Sequence, residues 1–141
     1  MKKMFILLFT LIILAGCSNN ESEVIKKVTY TGEADSWKTT IVNVISEDSD
    51  DVDYTMSIEY KGDLADLKNI HQIKYSYEYG LTEISRSEDK SDGFNSKDTK
   101  AAIVYEDKEQ IKKYLIDEQT VIPFKIEWNN NVEEFELKLS K

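Results

Sequence analysis

The sequence predicts an all-β protein built as an antiparallel β-sandwich, and three observations support this fold class. Four segments alternate regularly between apolar and polar residues, which is the pattern of a strand with one dry and one wet face. Three further segments are rich in β-branched residues or are apolar on nearly both sides. The segments are short and are separated by polar stretches, a spacing that is typical of a sandwich.

The predicted strands follow one another as EVIKKVTYTG, WKTTIVNVIS, YTMSIEY, IKYSYEY, TKAAIVYE, IPFKIEW and FELKL. TKAAIVYE is apolar on nearly both sides, which favours a central strand of a sheet. We expect Trp37 to help fill the interior. Alternation assigns these residues to dry faces: Tyr54, Met56, Ile58, Tyr60, Ile73, Tyr75, Tyr77, Tyr79, Ile122, Phe124, Ile126, Trp128, Phe135, Leu137 and Leu139.

Two segments between the strands are candidates for short helices. In DKEQIKKYL, Asp107 is a candidate N-cap and Gln110 is its candidate capping-box partner. Ile111 and Leu115 share one helical face. DLADLKNI is expected to form one turn of helix. EWNNNVEEF is expected to form a hairpin, because asparagine adopts positive φ at little cost.

The N-terminus has the pattern of a secretory signal peptide, which is expected to be helical. Lys2 and Lys3 precede the apolar run MFILLFTLIILAG, which is followed by Cys17, the one cysteine in the sequence. This run is shorter than the about 20 residues that a membrane-spanning helix needs. The competing interpretation is an uncleaved membrane anchor with a buried structural cysteine.

LAGC, at Leu14–Cys17, resembles the lipobox of bacterial lipoproteins. The resemblance implies that the Cys17 thiol receives a diacylglyceryl group and that cleavage occurs just before this residue. Leu14, Ala15 and Gly16 would then be recognised by the peptidase, and acylation of the new amino group is left open. Two or more acyl chains give a stable membrane anchor, since each buried methylene contributes about 0.8 kcal/mol.

This interpretation divides the chain into a signal peptide (1–16), a lipidated cysteine with a short polar tether (17–23) and a β-sandwich domain (24–141). The whole chain has 18 basic and 27 acidic residues. Cleavage would remove Lys2 and Lys3 and no acid, leaving 16 basic and 27 acidic side chains, a balance of −11. Such a domain is a poor candidate for binding nucleic acid and is repelled by anionic lipid.

From Trp37 to the C-terminus, the arrangement resembles a group of small lipoproteins of low-GC Gram-positive bacteria. The resemblance rests on GEADSWKTTIVNV, IEYKGDL, IKYSYE and FKIEWNNNVEEFELKL. It implies an immunoglobulin-like sandwich and no particular activity. Relatives in this group usually carry Asn-Gly in the last hairpin, where this chain has Asn129, Asn130 and Asn131.

The candidate functional residues each have a structural interpretation beside the functional one. His71 lacks a second histidine or a free thiol as a partner for catalysis or metal binding, so we interpret it as a surface or edge residue. The acidic run Glu47–Asp53 suggests weak calcium binding, but it lacks EF-hand order and fits a solvated turn. Ser85–Asp98 is expected to be a mobile loop in which Phe94 packs against the sandwich edge. Aromatic residues on an exposed sheet face can bind sugars or peptides, whereas those that alternate with aliphatic residues are expected in the core.

The sequence has no glycine-rich phosphate loop, nucleophile elbow or paired-cysteine site. We therefore expect a non-catalytic binding or interaction module without a cofactor or metal, anchored by lipid to the extracytoplasmic face of the cell membrane. Its partner would be a protein or another component of the cell envelope. The alternatives are a cell-envelope hydrolase that uses two carboxylates and a weak calcium- or solute-binding protein.

Overall fold

The computed structural model describes residues 24–47, 50–79, 82–94, 103–112 and 121–140, which form an all-β, antiparallel protein. This confirms the all-β, antiparallel part of the predicted fold class. None of the described residues belongs to a helix with the length and apolar character needed to cross a membrane. The strands are β1 (Val24–Glu33), β2 (Trp37–Ser46), β3 (Asp51–Tyr60), β4 (Gln72–Tyr79), β5 (Thr82–Asp89), β6 (Ile103–Lys112), β7 (Ile122–Trp128) and β8 (Asn131–Leu139).

The strands form one curled sheet in the order β5-β4-β7-β8-β1-β2-β3-β6. Strands β1 and β8 join its two halves through only two residue pairs, Tyr30 with Leu139 and Thr31 with Lys138. Gly32 lies beside this seam, where a Cβ atom would overlap the backbone carbonyl of Glu136. The absence of a side chain at Gly32 therefore allows the two halves to approach.

The core fills the concave side of the curl. Tyr54 on β3 donates a hydrogen bond of 2.9 Å to the Tyr77 hydroxyl on β4, although four strands separate β3 from β4 in the sheet order. Trp37 on β2 contacts Trp128 on β7 edge to face, with ring centroids 5.5 Å apart. The two halves of the sheet consequently bury their apolar faces against each other.

Alternation is correct for most of the residues that it assigns to dry faces. Ten of them are buried, as is Trp37: Tyr54, Met56, Ile58, Ile73, Tyr75, Tyr77, Ile122, Phe124, Ile126 and Leu137. Tyr60, Phe135 and Trp128 are partly buried against this core. Leu139 is the exception, because it is 44 % exposed beside the short seam. The Tyr79 side chain lies outside the described part of the chain.

One fully buried residue of β2, Asn43, carries a polar amide group. Asn43 is fully buried between Val28 of β1 and Tyr54 of β3, and neither atom of its amide group has a hydrogen-bond partner in the structure. An amide without a partner in an apolar interior costs free energy. Asn43 therefore reduces the stability of the core that it occupies.

The helix predicted from Asp107 is wrong within the described residues, since Asp107 and Ile111 belong to strand β6. Strand β6 pairs with β3 along its length, and the end pairs are Asp51–Lys112 and Glu59–Ile103. This pairing prevails over the local capping pattern. The same strand was predicted to be central and instead ends the sheet order. Leu115 lies outside the described residues.

The mobile loop predicted for Ser85–Asp98 is wrong for its first part. Ser85–Asp89 belongs to β5, which pairs with β4 along its length, and residues 95–98 lie outside the described part. The prediction for Phe94 is confirmed, because this side chain is only 4 % exposed and belongs to the core cluster. Strand β5 was not predicted from the sequence because almost every one of its residues is polar.

The expected helical turn in DLADLKNI is confirmed as a 3₁₀ helix, Leu64–Leu67. The Asp63 carboxylate accepts a hydrogen bond of 2.9 Å from the Ala65 N–H and so caps its first turn. The hairpin expected in EWNNNVEEF is also confirmed, since β7 pairs with β8 from Ile122 with Leu137 to Trp128 with Asn131.

Candidate functional site

A pocket of about 470 Å³ lies where the loop before β4 meets the β7–β8 turn. Gln72, Lys74 and Glu127 contribute to it from the side of the sheet that faces away from the core. Most of the other lining residues carry an amide or aromatic group. The lining consists of Asn69, Ile70, His71, Gln72, Lys74, Glu127, Trp128, Asn129, Asn130, Asn131 and Val132.

The β7–β8 turn presents two asparagines at one side of this pocket. Asn129 has φ 42° and Asn130 has φ 64°, so both central residues of the turn are in the left-handed region. Two such residues form the type I′ turn, whose twist matches that of the flanking strands. Asn131 donates a hydrogen bond of 3.3 Å from Nδ2 to the Asn129 carbonyl, which further fixes the turn.

The opposite side of the pocket is the segment Asn69–Gln72, which is held in place by the loop after β5. Ile70 accepts a backbone hydrogen bond of 3.0 Å from Phe94, and His71 accepts one of 2.8 Å from Lys90. Gly93 has φ 76°, and a Cβ atom there would overlap the Lys68 carbonyl oxygen. Glycine at this position therefore lets the two loops lie in contact.

Trp128 forms part of the pocket between these two sides. It is partly buried, and its ring contacts the fully buried Trp37 edge to face. Trp37 in turn packs against Tyr60 with ring centroids 4.9 Å apart. These contacts fix the Trp128 ring against the aromatic core at the edge of the pocket.

The charged residues of the pocket balance one another. Lys74 and Glu127 are directly opposite on β4 and β7, and Glu127 also forms an ion pair with Lys125. The hydrogen bond and charge of Lys125, with a further contribution from Lys74, hold the pKa of Glu127 below its ordinary value. The hydrogen bond and charge of Glu127 likewise raise the pKa of Lys125.

His71 is exposed at the rim of the pocket, which agrees with its interpretation as a surface residue. Its Nδ1 lies 3.2 Å from the Lys90 carbonyl oxygen. In a neutral imidazole this bond requires the proton on Nδ1, so Nε2 is the nitrogen that can accept a hydrogen bond. Gln72 donates a hydrogen bond of 2.8 Å from Nε2 to Asp89, which orients its amide group.

A second pocket, of about 430 Å³, lies on the same outer face and contains several carboxylates. Glu78 and Glu83 are directly opposite on β4 and β5, and Glu134 and Glu136 of β8 also line the pocket. These four residues are all exposed. A general acid needs surroundings that favour its protonated form, so an exposed glutamate group does not favour carboxylate catalysis.

The remaining sequence-predicted sites lie partly or wholly outside the described residues. Leu14, Ala15, Gly16 and Cys17 are among them, and their proposed processing remains a prediction. Asp48 and Ser49 of the acidic run Glu47–Asp53 are also outside. In the described ranges, no group of three or more histidine, cysteine or acidic residues is arranged to hold a metal ion.

The sequence reveals the hairpin but not the pocket beside it. The lining comes from two stretches, 69–74 and 127–132, that lie far apart along the chain. Only the pairing of β4 with β7 brings them together. Comparison of the chain with protein-family models, with curated proteins and with solved structures found no match.

Proposed function

We propose that the protein is a bacterial lipoprotein whose β-domain acts as a non-catalytic binding module at the extracytoplasmic face of the cell membrane. The observation that carries the proposal is the sequence Leu14–Cys17, LAGC, directly after a positively charged start and a short apolar run. Lipid on Cys17 would supply the attachment, which the acidic domain itself does not favour.

The position of the domain along the chain supports this proposal. Strand β1 begins at Val24, seven residues after Cys17. The six intervening residues, Ser18–Glu23, span at most roughly 20 Å when fully extended. A domain on this tether would remain close to the membrane, within reach of membrane proteins and the inner part of the cell envelope.

We further propose that the curled sheet is a two-layer sandwich. The Tyr54–Tyr77 hydrogen bond and the Trp37–Trp128 contact support this, because each joins strands from different halves of the sheet. The immunoglobulin-like topology remains a prediction. It is not favoured by the strand order, since β1, β2 and β3 are consecutive neighbours here and an immunoglobulin sheet has the order ABED.

The chemistry of the pocket at the β7–β8 turn supports a binding role over catalysis. Its lining includes five residues with amide side chains together with Trp128. Amide groups donate and accept hydrogen bonds without changing charge, and they are poor general acids, general bases or nucleophiles. The same set of groups is well suited to holding a polar ligand in one orientation.

Membrane fractionation of two variants tests the anchoring part of the proposal. Cys17→Ser removes the thiol that lipidation requires, whereas Ser18→Ala alters the next residue and preserves the thiol. We expect Cys17→Ser to leave the membrane fraction or to accumulate unprocessed, and Ser18→Ala to behave like the parent chain. Membrane retention of a Cys17→Ser chain cleaved to the mature length would contradict the proposal.

Crosslinking in cells tests the binding part. We expect the parent chain to be recovered with a recurrent envelope component under several growth conditions. Substitution of residues in the β7–β8 pocket should reduce that recovery, whereas substitution of Glu136 on the same face, outside this pocket, should not. Recovery of the protein alone under every condition would contradict a binding role.

A further inference from the structure

We propose that the pocket at the β7–β8 turn binds an uncharged oligosaccharide. The inference rests on the proposed function, since it names the ligand class of the same binding module. It is carried by a pocket lined by five residues with amide side chains and by Trp128, in which Lys74 lies opposite Glu127.

Five of the residues that line the pocket have amide side chains. Asn129 and Asn130 of the turn and Asn131 at the start of β8 line one side, and Asn69 of the preceding loop and Gln72 at the start of β4 line the other. Each amide group has two N–H donors and a carbonyl acceptor, although Gln72 and Asn131 each already donate one hydrogen bond within the protein. A sugar hydroxyl both donates and accepts a hydrogen bond, so it matches an amide better than it matches a side chain that can only donate or only accept.

The conformation of the turn strengthens this point. Asn130 has φ 64°, and glycine adopts this conformation at lower cost than any residue with a side chain. Folding alone would therefore favour glycine at position 130. An asparagine there retains an amide group at the edge of the pocket, and ligand recognition gives that amide a role.

Trp128 supplies the apolar part of the site. Trp128 is the tryptophan among the lining residues, and its ring makes an edge-to-face contact with Trp37. A pyranose ring has one face composed mainly of C–H groups, which packs against an indole ring while the hydroxyl groups reach outward. A fixed ring beside hydrogen-bonding groups loses little conformational entropy when it binds such a ligand.

The charges of the pocket select against ionic ligands. Lys74 is opposite Glu127, so a phosphate or carboxylate ligand would have to compete with an existing acidic neighbour. The strongly acidic composition of the chain also disfavours an anion. A cationic ligand would meet Lys74 in the same place. The volume of about 470 Å³ lies within the range of about 300–1,000 Å³ usual for small-ligand sites.

The test is a titration of the full-length chain with two soluble probes, an N-acetylglucosamine tetramer and maltotetraose. The protein is held in a detergent without a sugar headgroup, because a glycoside detergent would compete for the pocket. Amide chemical shifts in two-dimensional NMR spectra report binding residue by residue. We expect saturable shifts in residues 69–74 and 127–132 with at least one probe.

Two variants separate recognition from folding. Asn130→Gly removes one amide group and keeps the turn conformation, so affinity should fall about fivefold while stability does not fall. Trp128→Phe keeps an aromatic ring of smaller area and should also weaken binding. Glu136→Gln, which lies on the same face outside this pocket, should bind like the parent chain.

The proposal is overturned if neither oligosaccharide produces saturable shifts, or if Asn130→Gly binds as tightly as the parent chain. It is also overturned if an uncharged tetrapeptide produces saturable amide shifts in the pocket residues and neither oligosaccharide does. These outcomes leave membrane fractionation of Cys17→Ser unaffected, so failure of the ligand assignment is distinguishable from failure of the anchoring proposal.

Discussion

Replacement of Gly32 by alanine tests how the curled sheet is held together. An alanine Cβ atom would overlap the Glu136 carbonyl oxygen, and it would lie 2.8 Å from the Glu136 carbonyl carbon and 2.9 Å from Leu137 Cδ2. The first two atoms belong to backbone, and Leu137 is fully buried. Relief of the overlap therefore requires β1 and β8 to separate.

The expected loss of stability follows from three contributions. Substitution of glycine restricts the unfolded chain and stabilises the protein by about 0.4–1 kcal/mol. Overpacking costs about 1–3 kcal/mol, and each backbone hydrogen bond weakened along the two-pair seam costs about 0.5–1.5 kcal/mol. We therefore expect Gly32→Ala to lower the free energy of unfolding by about 2–4 kcal/mol.

Thermal unfolding of the full-length chain, followed by circular dichroism, measures this effect. A loss of about 3 kcal/mol corresponds to a decrease in Tm of about 10 °C for a domain of this size. Gly62→Ala is the matched control, because the nearest atoms to its new Cβ atom belong to the Tyr60 side chain and not to backbone. Equal stability of the two variants would refute the argument that Gly32 is required for the β1–β8 seam.

Three further predictions concern single side chains. Asn130→Gly should raise stability by about 0.5–1 kcal/mol, because glycine adopts the positive φ of this position more readily, and a lower Tm would contradict this. Asn43→Leu should raise stability by about 1–3 kcal/mol, because it removes a buried amide that lacks a hydrogen-bond partner. Denaturant titration measures this change, and destabilisation would contradict the prediction. The Lys125–Glu127 pair should stabilise the fold between the ordinary pKa values of the two groups. Its contribution should be lost as pH falls through the lowered pKa of Glu127 and as pH rises through the raised pKa of Lys125, and Glu127→Gln should lower the Lys125 pKa in NMR titrations.

Sequence alternation predicts the strands whose two faces differ most. In YTMSIEY, IKYSYEY and IPFKIEW, every second residue is apolar, and the described residues of these sets lie on the concave side of the sheet. The same period determines which residues form the core because a strand turns successive side chains to opposite faces. Trp37 is predicted with them and is fully buried.

The strands at the two ends of the sheet order are the ones that alternation misses, although the apolar segment TKAAIVYE predicts the first part of β6, Ile103–Glu106. Strand β5 has few apolar residues to mark a face, and only Ile84 packs against the core as a partly buried aliphatic side chain. Strand β6 contains Asp107 and Gln110, which resemble a helix start when read locally. Both become strands through backbone pairing with β4 and β3, which a local pattern does not encode.

The candidate pocket is likewise not predicted by local sequence patterns. The asparagine run 129–131 predicts a turn, and the turn forms. Nothing in the spacing of His71, Gln72 and Lys74 indicates that they lie beside that turn. Their proximity depends on the register between β4 and β7, in which Ile73 pairs with Trp128.

The mass of the intact protein purified from membranes tests the central claim most directly. We expect a chain that begins at Cys17 and carries one diacylglyceryl group, with or without an additional acyl chain on its amino group. Digestion should place all of the added mass on the peptide that contains Cys17. A membrane-bound chain that retains residues 1–16, or a mature chain with an unmodified Cys17 thiol, would contradict the account.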